Sequence, residues 1–95
     1  MDEKTPNRKQ RLLDLDRELG RVLARIRREN GVQQQLVAEA RGFGRPLVSK
    51  IEHGQRSLSA VELPSYAKAI GAKPGQVFDE LERIVFEYDS SKCGS

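Results

Sequence analysis

Residues 31–54, GVQQQLVAEARGFGRPLVSKIEHG, constrain the fold more than any other stretch of the chain. Their pattern predicts two short helices around a tight turn. The first spans about Gln33 to Arg41. Gly42 follows, and a residue without Cβ takes a positive φ at no steric cost. Gly44 is placed as the N-cap of a second helix, from about Arg45 to His53. Pro46 falls in its first turn, where a missing N–H costs no intrahelical bond. Helical spacing turns Val37, Ala38 and Arg41 inward in the first helix and Leu47, Val48 and Ile51 inward in the second. Ala38 is small, as close approach of two helix backbones requires.

Two helices joined by a glycine-containing turn are the helix-turn-helix signature. Arg45, Ser49 and Lys50 are left on the outer side of the second helix, and a short helix with a packed inner face and a basic outer face can enter a DNA major groove. Arg45 can give parallel hydrogen bonds to guanine O6 and N7, Lys50 reaches the same acceptors less rigidly, and Ser49 can meet a base or a phosphate. Pro46 has no amide side chain, so its contact is apolar, against a thymine methyl, or absent. Gln33 and Gln34 open the first helix of the pair. Its unpartnered N–H groups and positive dipole end suit a phosphate. The plainer alternatives are that Arg45 and Lys50 bind phosphate only and that the two glutamines are polar surface.

The 95 residues make one small domain, and with no Trp and 5% aromatics its core must come from Leu, Ile, Val and Ala. Net charge is +3, unevenly spread: residues 1–56 hold 13 Lys/Arg against 8 Asp/Glu, residues 57–95 hold 4 against 6. The basic half contains the two-helix stretch, which favours a polyanionic partner on one face; a solvated helix surface with internal ion pairs is the equal alternative. One Cys, Cys93, permits no disulfide within the chain and no metal quartet, and fits a reducing cytoplasm. No stretch has the length and apolarity of a membrane span or signal peptide.

Taken in order, residues 1–8 read as a flexible arm, with Thr5-Pro6 as a possible helix cap. Leu12, Leu15, Leu19, Val22 and Ile26 step by 3, 4, 3 and 4, one apolar stripe on a helix ending near Asn30-Gly31. Leu12 and Leu15 are read as cover for the core rather than a dimer contact. Ser59 and Glu62 form a capping-box pattern ahead of a fourth helix that buries Leu63, Tyr66, Ala67 and Ile70. Pro64 demands an irregular start there. Pro74 opens a last helix with Val77, Phe78, Leu81, Ile84, Val85 and Tyr88 on a wide apolar band. Leu81, Ile84, Val85 and Tyr88, with Phe86 nearby, are assigned to a homodimer interface, with packing on the first helix as the alternative. Residues 79–82 read as a solvated acidic face, and residues 90–95 as a disordered tail. One domain, residues 9–89, with its helix-turn-helix at 33–53, is expected.

IRREN, GVQQQLVAEA, RGFGRP, LVSKIEHGQR and LPSYAKAIGAKPGQVF resemble, in that order, the pattern of the Cro/lambda-repressor-like helix-turn-helix family, also called the XRE family. The resemblance covers residues 23–78. It implies an all-α, five-helix DNA-binding domain; here the first and last helices are extended beyond the family's usual length. It implies that Arg27 pairs with Glu52, the Glu after the recognition helix, and that a Gln in the place of Gln34 contacts phosphate and braces that helix. It implies that the loop carrying His53, Gln55 and Arg56 grips the sugar-phosphate backbone, and Gly44 joins the phosphate set at the head of the recognition helix.

The expected function is therefore a sequence-specific transcriptional regulator, a repressor, binding double-stranded DNA at a palindromic operator as a homodimer in a bacterial or phage cytoplasm, at the nucleoid. Two readings stand beside it. One is an antitoxin or restriction-modification controller of the same fold. The other is a protein-interaction module, with a partner not named by the sequence, that has lost DNA binding; Pro46 and the modest charge support it. An enzyme, a cofactor and a metal site are not expected: there is one His, no phosphate-cradling glycine motif and no carboxylate cluster at ligand spacing.

Overall fold

The computed structural model describes residues 7–92. Five helices follow one another: α1 (Arg8–Glu29), α2 (Gln34–Arg41), α3 (Arg45–Glu52), α4 (Leu63–Ala69) and α5 (Pro74–Lys92). The architecture is all-α, and no strand occurs among the described residues. α1 is a 22-residue helix, roughly 33 Å at 1.5 Å per residue. Its N-cap is Asn7, whose side-chain oxygen accepts the Gln10 N–H at 2.8 Å. The helix therefore begins at Arg8, inside the segment expected to be an arm. Thr5 and Pro6, the expected cap, lie outside the described residues.

One core joins all five helices. Leu15, Leu19, Val22, Leu23 and Ile26 of α1 meet Val37 and Ala38 of α2, Val48 and Ile51 of α3, Leu63, Tyr66 and Ala67 of α4 with Ile70, and Val77, Ile84 and Tyr88 of α5. Leu12 falls outside that core at 44% exposure, so the buried stripe of α1 starts one step later than its periodicity suggests. Arg41, the third inward position of α2, is half-buried.

The start of α4 shows what Pro64 does. The Ser59 hydroxyl bonds the Glu62 carboxylate at 3.4 Å and caps no helix N–H. Residues 60–62 form turns, and regular helix begins at Leu63, which puts Pro64 in the first turn where its absent N–H is harmless.

α5 corrects the sequence reading twice. It runs through residues 90–92, which were expected to be disordered, and ends at Lys92; Cys93 lies outside the described residues. The band assigned to a dimer interface is also largely used inside the chain. Ile84 and Tyr88 are only 6% and 8% exposed, while Leu81 and Val85 are half-buried against the same core. The physical reason is α1's upstream extension. The Tyr88 hydroxyl donates to Asp14 Oδ2 at 2.6 Å, and Arg11 pairs side-on with Asp89 at 3.1 and 3.0 Å. The two helix extensions thus cover each other, leaving Phe78 and Phe86 as α5's exposed aromatics, at 40% and 70%.

Candidate nucleic-acid interface

The α2–α3 pair is held by local rules and then aimed by a polar cluster behind it. α2 ends in a left-handed turn at Gly42, with φ 74°, and the Phe43 N–H closes the end of the helix on the Ala38 carbonyl at 3.0 Å. Gly44, with φ −77° and ψ 154°, caps α3, and Pro46 occupies its first turn. Val48 is fully buried and Ile51 is 4% exposed, against Val37 and Ala38. That leaves Arg45, Pro46 and Lys50 exposed along the outer face of α3 and Ser49 half-exposed, the four positions singled out for base contact.

Behind α3 lies an ion pair that joins three elements. Arg27 of α1 faces Glu52 at the end of α3, Nε to Oε2 at 2.5 Å and Nη2 to Oε1 at 3.2 Å. The side chains are 11% and 5% exposed, so the pair is screened little by solvent. Arg27 Nη1 also donates to the Val32 carbonyl at 2.8 Å, tying in the α1–α2 connection. The two-point contact matches a planar guanidinium to a planar carboxylate. Tyr66 of α4 is fully buried and near enough to feel both charges. Its hydroxyl is pushed well above the usual phenol range by burial first, and by the Glu52 charge second, with Arg27 opposing.

Gln34 carries this cluster outward to the reading face. Its Nε2 donates to Glu52 Oε1 at 2.8 Å, and its Oε1 accepts from Arg45 Nε at 3.3 Å. A carboxylate only accepts, so Glu52 fixes which way the Gln34 amide points: nitrogen inward, oxygen toward Arg45. With Arg45 Nε engaged, its two terminal nitrogens remain for a nucleic-acid acceptor. Gln33 caps α2 in extended conformation with no side-chain capping bond and is exposed beside Gln34. Arg27, Gln33, Gln34, Gln35 and Arg45 line an open recess of about 480 Å³ at the α2 N-terminus, a concave, donor-rich surface of the kind that holds an anion.

At the other end of α3, His53 Nδ1 lies 2.7 Å from the Ser49 carbonyl and 3.5 Å from its hydroxyl. The carbonyl accepts, so Nδ1 carries a proton, and Nε2 can donate to a phosphate only in the doubly protonated ring. Gly54, at φ 74°, turns the chain; its N–H and that of Gln55 close on the Ile51 and Lys50 carbonyls at 3.1 and 2.8 Å. Gln55 and Arg56 are exposed on the loop that follows.

Two features that aim α3 were not read from the sequence. Gly20, in the middle of α1, lies so close to the end of α3 that a Cβ there would sit 2.5 Å from the Ile51 carbonyl oxygen and 2.6 Å from that of Glu52. The available signal was a lone glycine inside a strongly periodic helix, which costs about 1 kcal/mol unless backbones must approach. The Ser57 hydroxyl donates to Asp16, tying the loop after α3 to α1; nothing local signals that contact. Among the described residues no group of three or more His, Cys, Asp or Glu is placed to hold a metal ion, and no helix is long and apolar enough to cross a membrane.

Residues 18–81 match the protein family described as a helix-turn-helix domain. The chain is 34% identical over 74 residues to an uncharacterized HTH-type transcriptional regulator, y4dJ, of Sinorhizobium fredii (strain NBRC 101917 / NGR234), across 78% of this chain and 96% of that protein. Its fold is similar to that of an XRE-family like protein from Pseudomonas syringae pv. tomato str. DC3000, with a TM-score of 0.64 and 26% identity over 80% of this chain and 88% of that one.

Proposed function

The chain belongs to the XRE-like helix-turn-helix transcriptional regulators, which bind DNA, and from that premise we propose that it is a cytoplasmic repressor acting at the nucleoid, reading a palindromic operator as a homodimer with α3 in the major groove. One observation carries the reading. The outer face of α3 presents Arg45, Pro46 and Lys50 to solvent, while Gln34, Glu52 and Arg27 hold Arg45 from behind. Arg45 and Lys50 read guanine edges, Pro46 lies against a thymine methyl, and Ser49 reaches a base or sugar. Gln33, Gln34 and Gly44 grip one strand's backbone, and His53, Gln55 and Arg56 the other's. Repression follows by occlusion: a protein filling the major groove at a promoter excludes polymerase.

The dimer uses the face of α5 that the chain leaves uncovered. Phe86 and Phe78 are exposed there, and Leu81 and Val85 are only partly covered by the core. A twofold axis through this face presents two α3 helices to half-sites about one helical turn apart.

Selection of bound fragments from the source genome, followed by anisotropy titrations, tests the reading. A palindromic consensus should emerge, Arg45→Ala should relax base preference, and Arg56→Ala should weaken all sequences alike. Sedimentation at the same concentrations should give a dimer that Phe86→Ser converts to monomer. Selection that returns no consensus, or a wild-type protein monomeric on its operator, would overturn the proposal.

A further inference from the structure

The loop after α3 does not stand alone on its side of the motif. α1 runs beside it at backbone contact: a Cβ on Gly54 would lie 2.6 Å from the Arg17 Cα and 2.8 Å from its N. One residue earlier, Asp16 accepts the Ser57 hydroxyl, and three residues later, Gly20 abuts the last carbonyls of α3. Three contacts within five residues of α1 therefore fix the register between this helix and the end of α3. Arg17 is exposed at the centre of that stretch.

The charges around Arg17 are otherwise spoken for. Arg11 pairs with Asp89, Arg21 with Glu18, Arg25 with Glu29 and Glu80, and Arg27 with Glu52. The carboxylates within a turn of Arg17 also have partners: Asp14 accepts Tyr88, Asp16 accepts Ser57 and Glu18 takes Arg21. Arg17 has no ionic partner among the described residues, and neither has Arg56 on the adjoining loop. The backbone of Arg17 is braced against the loop that faces the polyanion, while its side chain reaches solvent at the rim of the recess between α1 and α5 with no ion pair of its own; from there it can share that loop's phosphates.

Geometry supplies the second half of the argument. α3 has 8 residues, so it is about 12 Å long, close to the roughly 12 Å width of the major groove. Groups at its N-terminal end, around Gln34, and at its C-terminal end, around Gly54, thus lie near opposite walls of the groove. We propose that Arg17 of α1 is a DNA phosphate ligand that works with Arg56, so that the first helix, outside the two-helix motif, supplies part of the grip on the second strand. This rests on the DNA-binding reading above.

The test is anisotropy with the selected operator and with random duplex, from about 0.05 to 0.3 M salt, for the full chain, Arg17→Gln, Arg17→Lys, Arg56→Gln and Lys68→Gln. One lost phosphate contact lowers the slope of log K against log salt by about 0.9, which is roughly an eightfold loss of affinity at about 0.1 M. Arg17→Gln should show that change on both duplexes alike, leaving the operator-to-random ratio unchanged. Arg17→Lys should restore most of it, because a cation there suffices. Lys68→Gln removes the same charge from α4 and should move the slope far less. If Arg17→Gln matches Lys68→Gln while Arg56→Gln flattens the slope, the loop binds DNA without α1 and this inference falls alone. If Arg17→Lys fails as badly as Arg17→Gln, the role is structural and the inference also falls. If the unaltered chain shows no salt-dependent binding, the DNA reading falls with it.

Discussion

Truncating Glu52 to alanine tests whether the buried pair behind α3 aims the reading helix. The carboxylate accepts three hydrogen bonds: two from Arg27, at 2.5 and 3.2 Å, and one from Gln34, at 2.8 Å. Glu52→Ala removes all three and leaves the Arg27 guanidinium enclosed, with only the Val32 carbonyl as acceptor. Stranding one member of a buried pair costs about 3–5 kcal/mol. A 95-residue domain has a total stability of about 5–14 kcal/mol, so the loss takes about a fifth of it or more. At about 4–8 °C per kcal/mol for this size, Tm should fall by roughly 12–40 °C. Urea denaturation followed by circular dichroism measures it, with Arg27→Met and the Arg27→Met/Glu52→Leu double variant closing the cycle. The double variant should recover most of the loss, since replacing both charges with apolar groups leaves nothing stranded. A Glu52→Ala cost below about 1 kcal/mol, the worth of an exposed ion pair, would refute the reasoning.

Three further outcomes follow from particular contacts. Gly20→Ala should lower stability by about 1–3 kcal/mol despite alanine's better helix propensity, because the new Cβ meets carbonyl oxygens at 2.5 and 2.6 Å; a raised Tm would count against the packing of α1 on α3. Burial, with Glu52 second, raises the Tyr66 hydroxyl pKa, so the folded state prefers it protonated. The stability this provides is intact below the unfolded value of about 10 and is lost as pH rises above it, so urea midpoints should fall with alkaline pH, and less steeply in Tyr66→Phe. His53 Nδ1 is held by the Ser49 carbonyl at 2.7 Å, on the flank of the loop read as gripping phosphate, so His53→Ala should weaken operator and random duplex alike in anisotropy titrations; unchanged binding would count against a backbone contact here.

The helices of the reading motif were legible in the sequence because their determinants are local. Gly42, Gly44 and Pro46 punctuate α2 and α3 through φ and a missing N–H, and Val37, Ala38, Val48 and Ile51 mark their inner faces through spacing alone. What failed was the question of partners. Periodicity showed that α5 has an apolar band but not what covers it, and Ile84 and Tyr88 proved to be covered by α1 rather than left for a second copy. The same limit applied at α4. Ser59 and Glu62 have capping-box spacing, yet the residues bond each other across a turn, since Pro64 delays the helix until Leu63.

The misreading of α5 concerns the extensions of α1 and α5, and it points to one consequence for the site. α1 is not merely a wall of the core. It holds Glu52 through Arg27, touches the end of α3 through Gly20, and carries Asp16 and Arg17 alongside the loop that follows. α5 holds α1 in turn, through Tyr88 on Asp14 and Asp89 on Arg11. The orientation of α3 therefore depends on a lever whose far end is clamped by α5. Cutting that clamp with Tyr88→Phe and Asp89→Asn should leave the helices formed but loosen α1, lowering operator affinity more than it lowers helicity; equal binding with an unchanged Tm would show that α1 needs only its core stripe to hold the reading helix in place.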